Sequence, residues 1–491
     1  MKTPSDDIFQ LIQAMTAAEK RYFKIHFSSE KSLITELFNL LNSMKTYDEE
    51  GVKKYFKKSK LSKNLKVYKI MLSELLLKSL SSFRYKKSIN SLIRQNLEEV
   101  EILAEKKLYL QANKKLQKTK QLCYKHEEFD QLITILHLEY LLKDFYVFPM
   151  SSMSLNLLEE IMQTSNIVSE IFESKKLNHK LKLSGGNFIS NKISPADLIS
   201  IEAFFKNDLK NKKSLKKEYY AISGLANLNY SKRNLEKELH FRKKAIDFFK
   251  TNPHFTISNP HKYWSAYFYL ANNFLQNNKH EQFEQTVQHL KTFSNQHPSF
   301  IRKNILILVL ELAFHRKQKN FTTIINKLEP EVLKLIELYG IAEERSAVLS
   351  STSLMMTHLS LGNHRKVQFY LKRLFKSSIE GDILKYYFEI VNMICHFETR
   401  DFDILQNLLS SKKRKIKRNP SYGTPFYKEV LNFFSQLLDP KNDQVKIVNQ
   451  LQAKIKLYPE DSFVGVIQYF IFDNWMKALL AKKTYSKYIN Q

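Results

Sequence analysis

The chain has 491 residues and a formal net charge of +29, with 43% hydrophobic and 26% charged residues. Nine glycines and 11 prolines are too few for the tight turns of a β-rich protein of this length, so the composition favours long helices. Two cysteines, Cys123 and Cys395, exclude a disulfide-dense scaffold, and we expect both to be buried thiols in a reducing compartment.

No secretory signal pattern precedes the first predicted helix. The longest apolar run, residues 305–314, is much shorter than the roughly 20 residues of a membrane-spanning helix. We therefore expect a cytoplasmic protein without a membrane partner. The length exceeds that of most single domains and suits an array of repeats.

Residues 1–88 are predicted to form an N-terminal domain of five helices. The stretch from Thr16 to Glu19 has the capping-box pattern, in which each side chain accepts a backbone hydrogen bond from the other residue. Asp48 is predicted to cap the short fourth helix. The fifth helix, from Leu61 to Phe83, has the clearest amphipathic spacing.

A basic segment at residues 53–60 of this domain has two interpretations. One is a helix–turn–helix that binds nucleic acid through four lysines, Lys53, Lys57, Lys58 and Lys60. The other, which we favour, is a solvated helix face from which Tyr55 and Phe56 pack inward, because no glycine marks the usual turn. Only 13 of the 78 basic residues are arginine, whereas base and phosphate recognition favours arginine.

Residues 89–491 are predicted to form an array of two-helix hairpins with a C-terminal capping helix from Phe463 to Leu480. In the hairpin at residues 263–298, His280 begins the second helix, and apolar residues follow at +3 (Phe283) and +7 (Val287). The same frame begins at Tyr109, Leu235, Phe321, His364, Phe402 and Gln444. The frame that begins at Leu235 departs from the pattern, because Glu238 lies at +3.

From Leu235 onward the frame recurs about every 40 residues, a period typical of solenoids in which each unit buries its apolar face against its neighbours. Between residues 145 and 214 the pattern does not define a register.

One face of the helix before His280 carries Tyr267, Leu270, Ala271 and Phe274, and Pro298 closes the hairpin. This order of a large residue, leucine, a small residue and an aromatic residue resembles the tetratricopeptide repeat. The resemblance implies an all-α superhelix of antiparallel helical hairpins, a TPR-like α-solenoid, with a role in protein or peptide binding. Residues 11–24 are separately similar to the opening of uncharacterised helical-repeat proteins of Bacteroidetes-type bacteria, which implies no function.

The sequence contains no motif for catalysis or for cofactor or metal binding. Gly185-Gly186, the only glycine pair, lacks the lysine of a phosphate-binding loop. No histidine or cysteine spacing is typical of zinc, and His254 and His261 are expected to lie in a loop between two hairpins. We therefore predict a protein that is not an enzyme and that needs no cofactor or metal.

Two functions are compatible with these patterns. The first is a non-catalytic scaffold that binds a protein or peptide, with Tyr263 and Asn273, on the face away from Leu270, as partner contacts. The second is a regulator whose basic N-terminal domain binds nucleic acid while the repeats sense a ligand, by analogy with peptide-sensing bacterial regulators. Phosphate binding weakens steeply as salt rises, whereas an apolar contact does not.

Overall fold

The computed structural model describes residues 6–27, 32–85, 89–146, 152–184, 193–211, 214–297, 300, 303–339, 345–376, 382–455, 457–458 and 472–490. Within these ranges the chain is all-α and contains no strand. The helices up to residue 258 are α1 (Asp7–Ala14), α2 (Ala17–His26), α3 (Leu33–Ser43), α4 (Glu49–Tyr55), α5 (Lys60–Lys63), α6 (Leu65–Tyr85), α7 (Ile89–Glu105), α8 (Tyr109–His126), α9 (Phe129–Tyr146), α10 (Ser152–Ser184), α11 (Pro195–Asn211), α12 (Leu215–Ser231), α13 (Leu235–Thr251) and α14 (Pro253–Ser258).

The remaining helices follow from residue 260 onward. A π-helical segment, Ile324–Leu328, joins the short helix Phe321–Thr323 to the helix Glu329–Tyr339. The helices are α15 (Pro260–Gln276), α16 (His280–Gln296), α17 (Asn304–Lys317), α18 (Phe321–Thr323), α19 (Glu329–Tyr339), α20 (Arg345–Ser360), α21 (His364–Leu374), α22 (Asp382–Glu398), α23 (Phe402–Arg418), α24 (Pro425–Leu437), α25 (Gln444–Ile455), α26 (Phe472–Leu480) and α27 (Tyr485–Ile489). No helix in the described part of the chain is long and apolar enough to cross a membrane.

Local capping begins the N-terminal helices at the predicted residues. The Thr16 backbone N–H donates to Glu19 Oε2 at 2.7 Å, and the Glu19 N–H donates to Thr16 Oγ1 at 3.3 Å. Asp48 Oδ1 accepts from the Gly51 N–H at 3.0 Å. Both predicted caps are therefore confirmed, and each satisfies a backbone donor that has no partner within its helix.

The predicted helix from Leu61 to Phe83 is divided into α5 and α6. Ser59 Oγ accepts from the Leu61 N–H at 3.2 Å and begins α5, and the Asn64 N–H closes that turn on the Leu61 carbonyl at 3.1 Å. The Asn64 carbonyl then accepts from the Val67 N–H at 2.9 Å, which begins α6. The described residues up to 85 therefore form six helices where five were expected.

These six helices enclose one apolar core. Its buried members come from α1 to α6 and from the segments between them. They are Ile8, Ile12, Met15, Phe23, Leu37, Phe38, Leu41, Val52, Phe56, Leu61, Leu65, Leu72 and Leu76.

Six connections between paired helices share one backbone conformation. Each is three residues long, and its middle residue is left-handed, with φ between 55° and 72°. The third residue's N–H donates to the carbonyl five residues earlier at 2.8 or 2.9 Å, which satisfies a carbonyl at the end of the first helix. The middle residues are Lys107, Arg233, Asn278, Lys319, Gly362 and Arg400.

These turns directly precede the second helix in six of the seven predicted frames, all except the frame at Gln444. The second helices begin at Tyr109, Leu235, His280, Phe321, His364, Phe402 and Gln444, so all seven predicted starting residues are confirmed. In the six regular frames the residues at +3 and +7 are apolar and no more than 6% exposed. They are Ala112 and Leu116, Phe283 and Val287, Ile324 and Leu328, Val367 and Leu371, Leu405 and Leu409, and Ile447 and Leu451.

The last helices contact units that are distant in sequence. Trp475 is fully buried, its ring stacks on Phe434 at 5.4 Å, and its Nε1–H donates to Glu398 Oε1 at 2.9 Å. Asn490 Nδ2 donates to the Ser360 carbonyl at 3.0 Å, which links the end of the chain to α20. In a simple solenoid each unit contacts only its neighbours, whereas Asn490 and Ser360 are 130 residues apart in sequence. The predicted capping helix from Phe463 is described only from Phe472.

The chain divides into two compact units, Met1–Ile171 with His254–Asn259, and Phe172–Pro253 with Pro260–Gln491. The predicted boundary between residues 88 and 89 stays a prediction, since residues 86–88 lie outside the described ranges.

Candidate functional site

Tyr263, a predicted partner contact, is half-buried in the hairpin of α15 and α16. Its hydroxyl shares a hydrogen bond with His289 Nε2 at 2.9 Å. Its ring packs against Phe249 and Phe293, with centroid distances of 5.4 and 5.1 Å. Tyr267, one turn later, stacks on the same histidine at 4.1 Å. Tyr263 therefore contributes to helix packing and presents only part of its ring to solvent.

The expectation that Asn273 faces solvent is wrong. The residue is 0% exposed, and its Nδ2 donates to Glu238 Oε2 at 2.9 Å and to the Leu235 carbonyl at 3.2 Å. Its Oδ1 accepts from Asn277 Nδ2 at 2.8 Å. The face of α15 away from Leu270 is covered by α13, so a partner cannot reach Asn273 while these helices are packed.

A buried polar network explains the irregular frame at Leu235. Glu238 and Arg242 lie at +3 and +7, where the other frames carry apolar residues, and both are at most 4% exposed. Arg242 Nε and Nη2 each lie 3.0 Å from Glu238 Oε1. Nη2 also donates to Asn227 Oδ1 at 3.0 Å, and Asn227 Nδ2 donates to Asn178 Oδ1 at the same distance.

We call Asn178, Asn227, Glu238, Arg242 and Asn273 the Glu238 network. It connects α10, α12, α13 and α15 through hydrogen bonds between buried groups. A buried charge is tolerated only when it is paired and hydrogen-bonded, and both charges meet that condition here. The sequence signal that identifies the pair is an acid and a base four residues apart at two inward positions of one helix.

The four lysines predicted for nucleic-acid binding differ in whether they form an ion pair. Lys53 Nζ lies 3.0 Å from Glu49 Oε1, so its charge is paired. Lys57, Lys58 and Lys60 are exposed and form no ion pair with any described residue. Phe56 is buried as predicted, but Tyr55 is 65% exposed, so the expectation that Tyr55 packs inward is wrong. The short helix α4 ends at Tyr55 and presents its ring to solvent.

A groove of about 570 Å³ lies beside this segment, between α6 and the helices α1, α4 and α5. Its apolar lining comes from Ile8, Leu65 and Ile70. Its polar lining consists of Asp7, Glu49, Lys53, Ser62, Lys63, Lys66, Lys69 and Ser73. We call it the α6 groove. Sequence reasoning identified Lys53 but missed the other groove residues, because they come together only when α6 packs across α1 and α4.

Glu49 forms ion pairs with two of the lysines that line the groove. Lys53 and Lys69 each lie 3.0 Å from its carboxylate, and the Tyr47 hydroxyl donates to it at 2.9 Å. The hydrogen bonds from Lys69 and then Lys53 lower the pKa of Glu49 to about 2, so it stays charged at neutral pH. Lys63 and Lys66 are exposed and have no ion-pair partner among the described residues. The groove therefore keeps positive charge that the fold does not neutralise.

One face of α6 adjoining this groove is apolar and exposed. Val67, Ile70, Met71 and Leu77 are between 43% and 56% exposed. Their spacing places them on one side of the helix, and Glu74 lies between Met71 and Leu77 on that side. Clustered exposed apolar residues commonly mark an interaction surface, whereas a single one does not.

Cys395 and His364 form the nearest arrangement to a nucleophile and base. Cys395 Sγ lies 3.4 Å from His364 Nδ1, but the cysteine is only 2% exposed. Burial raises the pKa of its thiol to about 11, and burial lowers the pKa of His364. A reactive cysteine needs an accessible thiolate, so this pair lacks the activation that catalysis requires.

Among the described residues, the other histidines and the residue types that bind metal ions form no further site. His254 lies in α14 and His261 in α15, so the expected loop is helical at both positions. His261 stacks on Phe300 at 4.5 Å. No group of three or more histidine, cysteine, aspartate or glutamate residues within the described ranges is arranged to hold a metal ion.

Comparisons of the chain with family models, with curated proteins and with solved structures found no match.

Proposed function

We propose that the chain is a non-catalytic scaffold that binds a protein or peptide. The observation that carries this proposal is the α6 groove, where unpaired lysines lie beside exposed apolar side chains. Protein interfaces combine an apolar centre with a polar rim, and this groove offers both. The shared apolar core of α1 to α6 supports an N-terminal module at residues 1–88, and the recurring turns and buried frames support a TPR-like α-solenoid at residues 89–491.

Photo-cross-linking tests the proposal. A photoreactive amino acid replaces Leu77, on the exposed face of α6, in the full-length chain expressed in its native host. The matched control replaces Ile199 of α11, which is 68% exposed. We expect the Leu77 position, but not the Ile199 position, to form a cross-link to a defined protein. Equal labelling from both positions, or none from Leu77, would contradict the proposal.

A second candidate function is a regulator whose N-terminal helices bind nucleic acid. The unpaired Lys57, Lys58 and Lys60 favour it, because exposed cations without carboxylate partners can neutralise phosphates. Fluorescence anisotropy with a labelled DNA duplex of about 20 base pairs, titrated over a range of salt, tests this candidate. Binding that falls steeply with salt and is lost in Lys57→Gln/Lys58→Gln/Lys60→Gln would support it. Binding unchanged by those substitutions would exclude this site.

A further inference from the structure

We propose that the α6 groove binds an acidic amphipathic helix of a partner protein. This inference rests on the proposed function, because it names the chemistry of the partner at the same site.

Charge is the first argument for an acidic partner. Of the four lysines that line the groove, Lys53 and Lys69 are ion-paired with Glu49. Lys63 and Lys66 face solvent without an ion pair in the described chain, and Lys57, Lys58 and Lys60 continue the basic surface next to them. Complementary charge guides association and selects partners, so a ligand for this rim carries carboxylates or phosphates.

The apolar face of α6 decides between those two chemistries. Val67, Ile70, Met71 and Leu77 extend along about 15 Å of helix at 1.5 Å per residue. A nucleic-acid backbone would neutralise the lysines but leave these side chains in water. An amphipathic helix of about three turns has matching length, and its leucine-type residues cover the face while its acids reach the lysines. Of the two ligands, only the helix satisfies both features.

Glu74 sets a further condition on the partner. It lies within the apolar face, between Met71 and Leu77, and no ion pair within the described residues engages it. The acidic side chains of a bound helix must therefore face Lys63 and Lys66, and the side of that helix that contacts Glu74 must be neutral or basic. This asymmetry predicts a single preferred orientation.

A synthetic peptide tests the inference on the full-length chain. The probe has about 18 residues, which is longer than the roughly 12–15 residues below which an isolated helix is marginal. It carries leucines at i, i+3, i+4 and i+7 and glutamates along one flank. The comparison peptides are a scrambled sequence of the same composition and a version with lysine in place of glutamate. Binding is measured by fluorescence anisotropy, with a DNA duplex of about 20 base pairs as a further probe.

The expected pattern separates charge from apolar contact. We expect the acidic amphipathic peptide to bind at least about tenfold more tightly than either comparison peptide. Lys63→Gln/Lys66→Gln should weaken binding about fivefold or more, and Met71→Ser/Leu77→Ser about tenfold or more. The matched control Lys441→Gln/Lys446→Gln, at two exposed lysines around α25, should leave affinity unchanged. Circular dichroism checks that each variant keeps its helicity.

Other outcomes overturn the inference. Tighter binding of duplex than of peptide, dependent on Lys63 and Lys66, would assign the surface to nucleic acid. Self-association of the free chain that Leu77→Ser abolishes would assign the apolar face to a second copy of the chain. Equal binding of all three peptides, or of none, would remove the acidic helix as the ligand. If Leu77 still cross-links to a cellular protein in that case, the proposed scaffold function stands and the acidic helix alone is rejected.

Discussion

Charged side chains have opposite surroundings in α13 and in the α6 groove. Glu238 and Arg242 are buried, bonded to each other and hydrogen-bonded to asparagines from neighbouring helices. Lys63 and Lys66 are exposed and lack ion pairs in the described chain. A buried charge can be kept only if the fold satisfies it, whereas an exposed charge costs the fold little. Charge removal should therefore reduce stability in the first region and partner binding in the second.

The largest effect is expected from Glu238→Ala. The substitution leaves the Arg242 guanidinium buried without its carboxylate, and breaking a buried pair in this way costs about 3–5 kcal/mol. Hydrogen exchange should show lost protection across α13 and α15, and the urea midpoint should fall. The control is Glu238→Leu/Arg242→Met, which leaves no unpaired charge in the interior and should cost less than Glu238→Ala, although Asn227 and Asn273 each lose a buried hydrogen-bond partner. A single substitution as mild as the double would show that the pair is solvated.

Glu329 tests the same principle through pH. Burial alone would raise the pKa of Glu329, but hydrogen bonds from His358, Tyr370 and Lys366 outweigh it and lower the pKa to about 2. Because the folded pKa lies below the usual glutamate value of 4.5, the stabilisation from Glu329 is present above pH 4.5 and is lost as pH falls towards 2.

Urea unfolding of wild type and Glu329→Gln between pH 7 and pH 2 measures this contribution. We expect wild type to lose stability more steeply than the variant over the acid range. Parallel curves for the two proteins would show that Glu329 does not contribute in this way.

Asn273→Ala is expected to have a smaller effect. It removes the donor to Glu238 Oε2 and leaves that oxygen in the interior, which costs about 1–3 kcal/mol. Asn272→Ala, at the neighbouring half-buried position, is the control and should stay within about 0.5 kcal/mol of wild type. Urea midpoints compare the two variants. Equal values would mean that the hydrogen bond to Glu238 adds nothing.

These positions also show how far the sequence defines the fold. The seven helix starts were predictable because a polar break and the first inward residues that follow it lie within about ten neighbouring positions. The burial of Asn273 was not predictable from the local pattern, because it depends on α13, whose Glu238 lies 35 residues earlier. The division between α5 and α6 was missed because the apolar spacing of Leu61 and Leu65 is continuous across Asn64. For the α6 groove, the sequence indicated that the segment is basic. It did not indicate which of the lysines form ion pairs with Glu49.

The smallest stability change is expected from Lys63→Gln/Lys66→Gln. Both side chains are exposed and unpaired within the described chain, so the free energy of unfolding should change by less than about 0.5 kcal/mol. Urea unfolding at two salt concentrations measures the change. A loss comparable to that of Asn273→Ala would mean that these lysines stabilise the fold and are not reserved for a partner.

Hydrogen exchange of the full-length chain with and without the acidic amphipathic peptide tests most directly where a partner binds. A bound ligand protects the amides of the elements it stabilises. We predict slower exchange in α4, α5 and α6 on addition of the peptide and unchanged exchange across α12 to α16. Protection around Tyr263 in α15, or no protection in α6, would contradict the assignment of partner binding to the α6 groove.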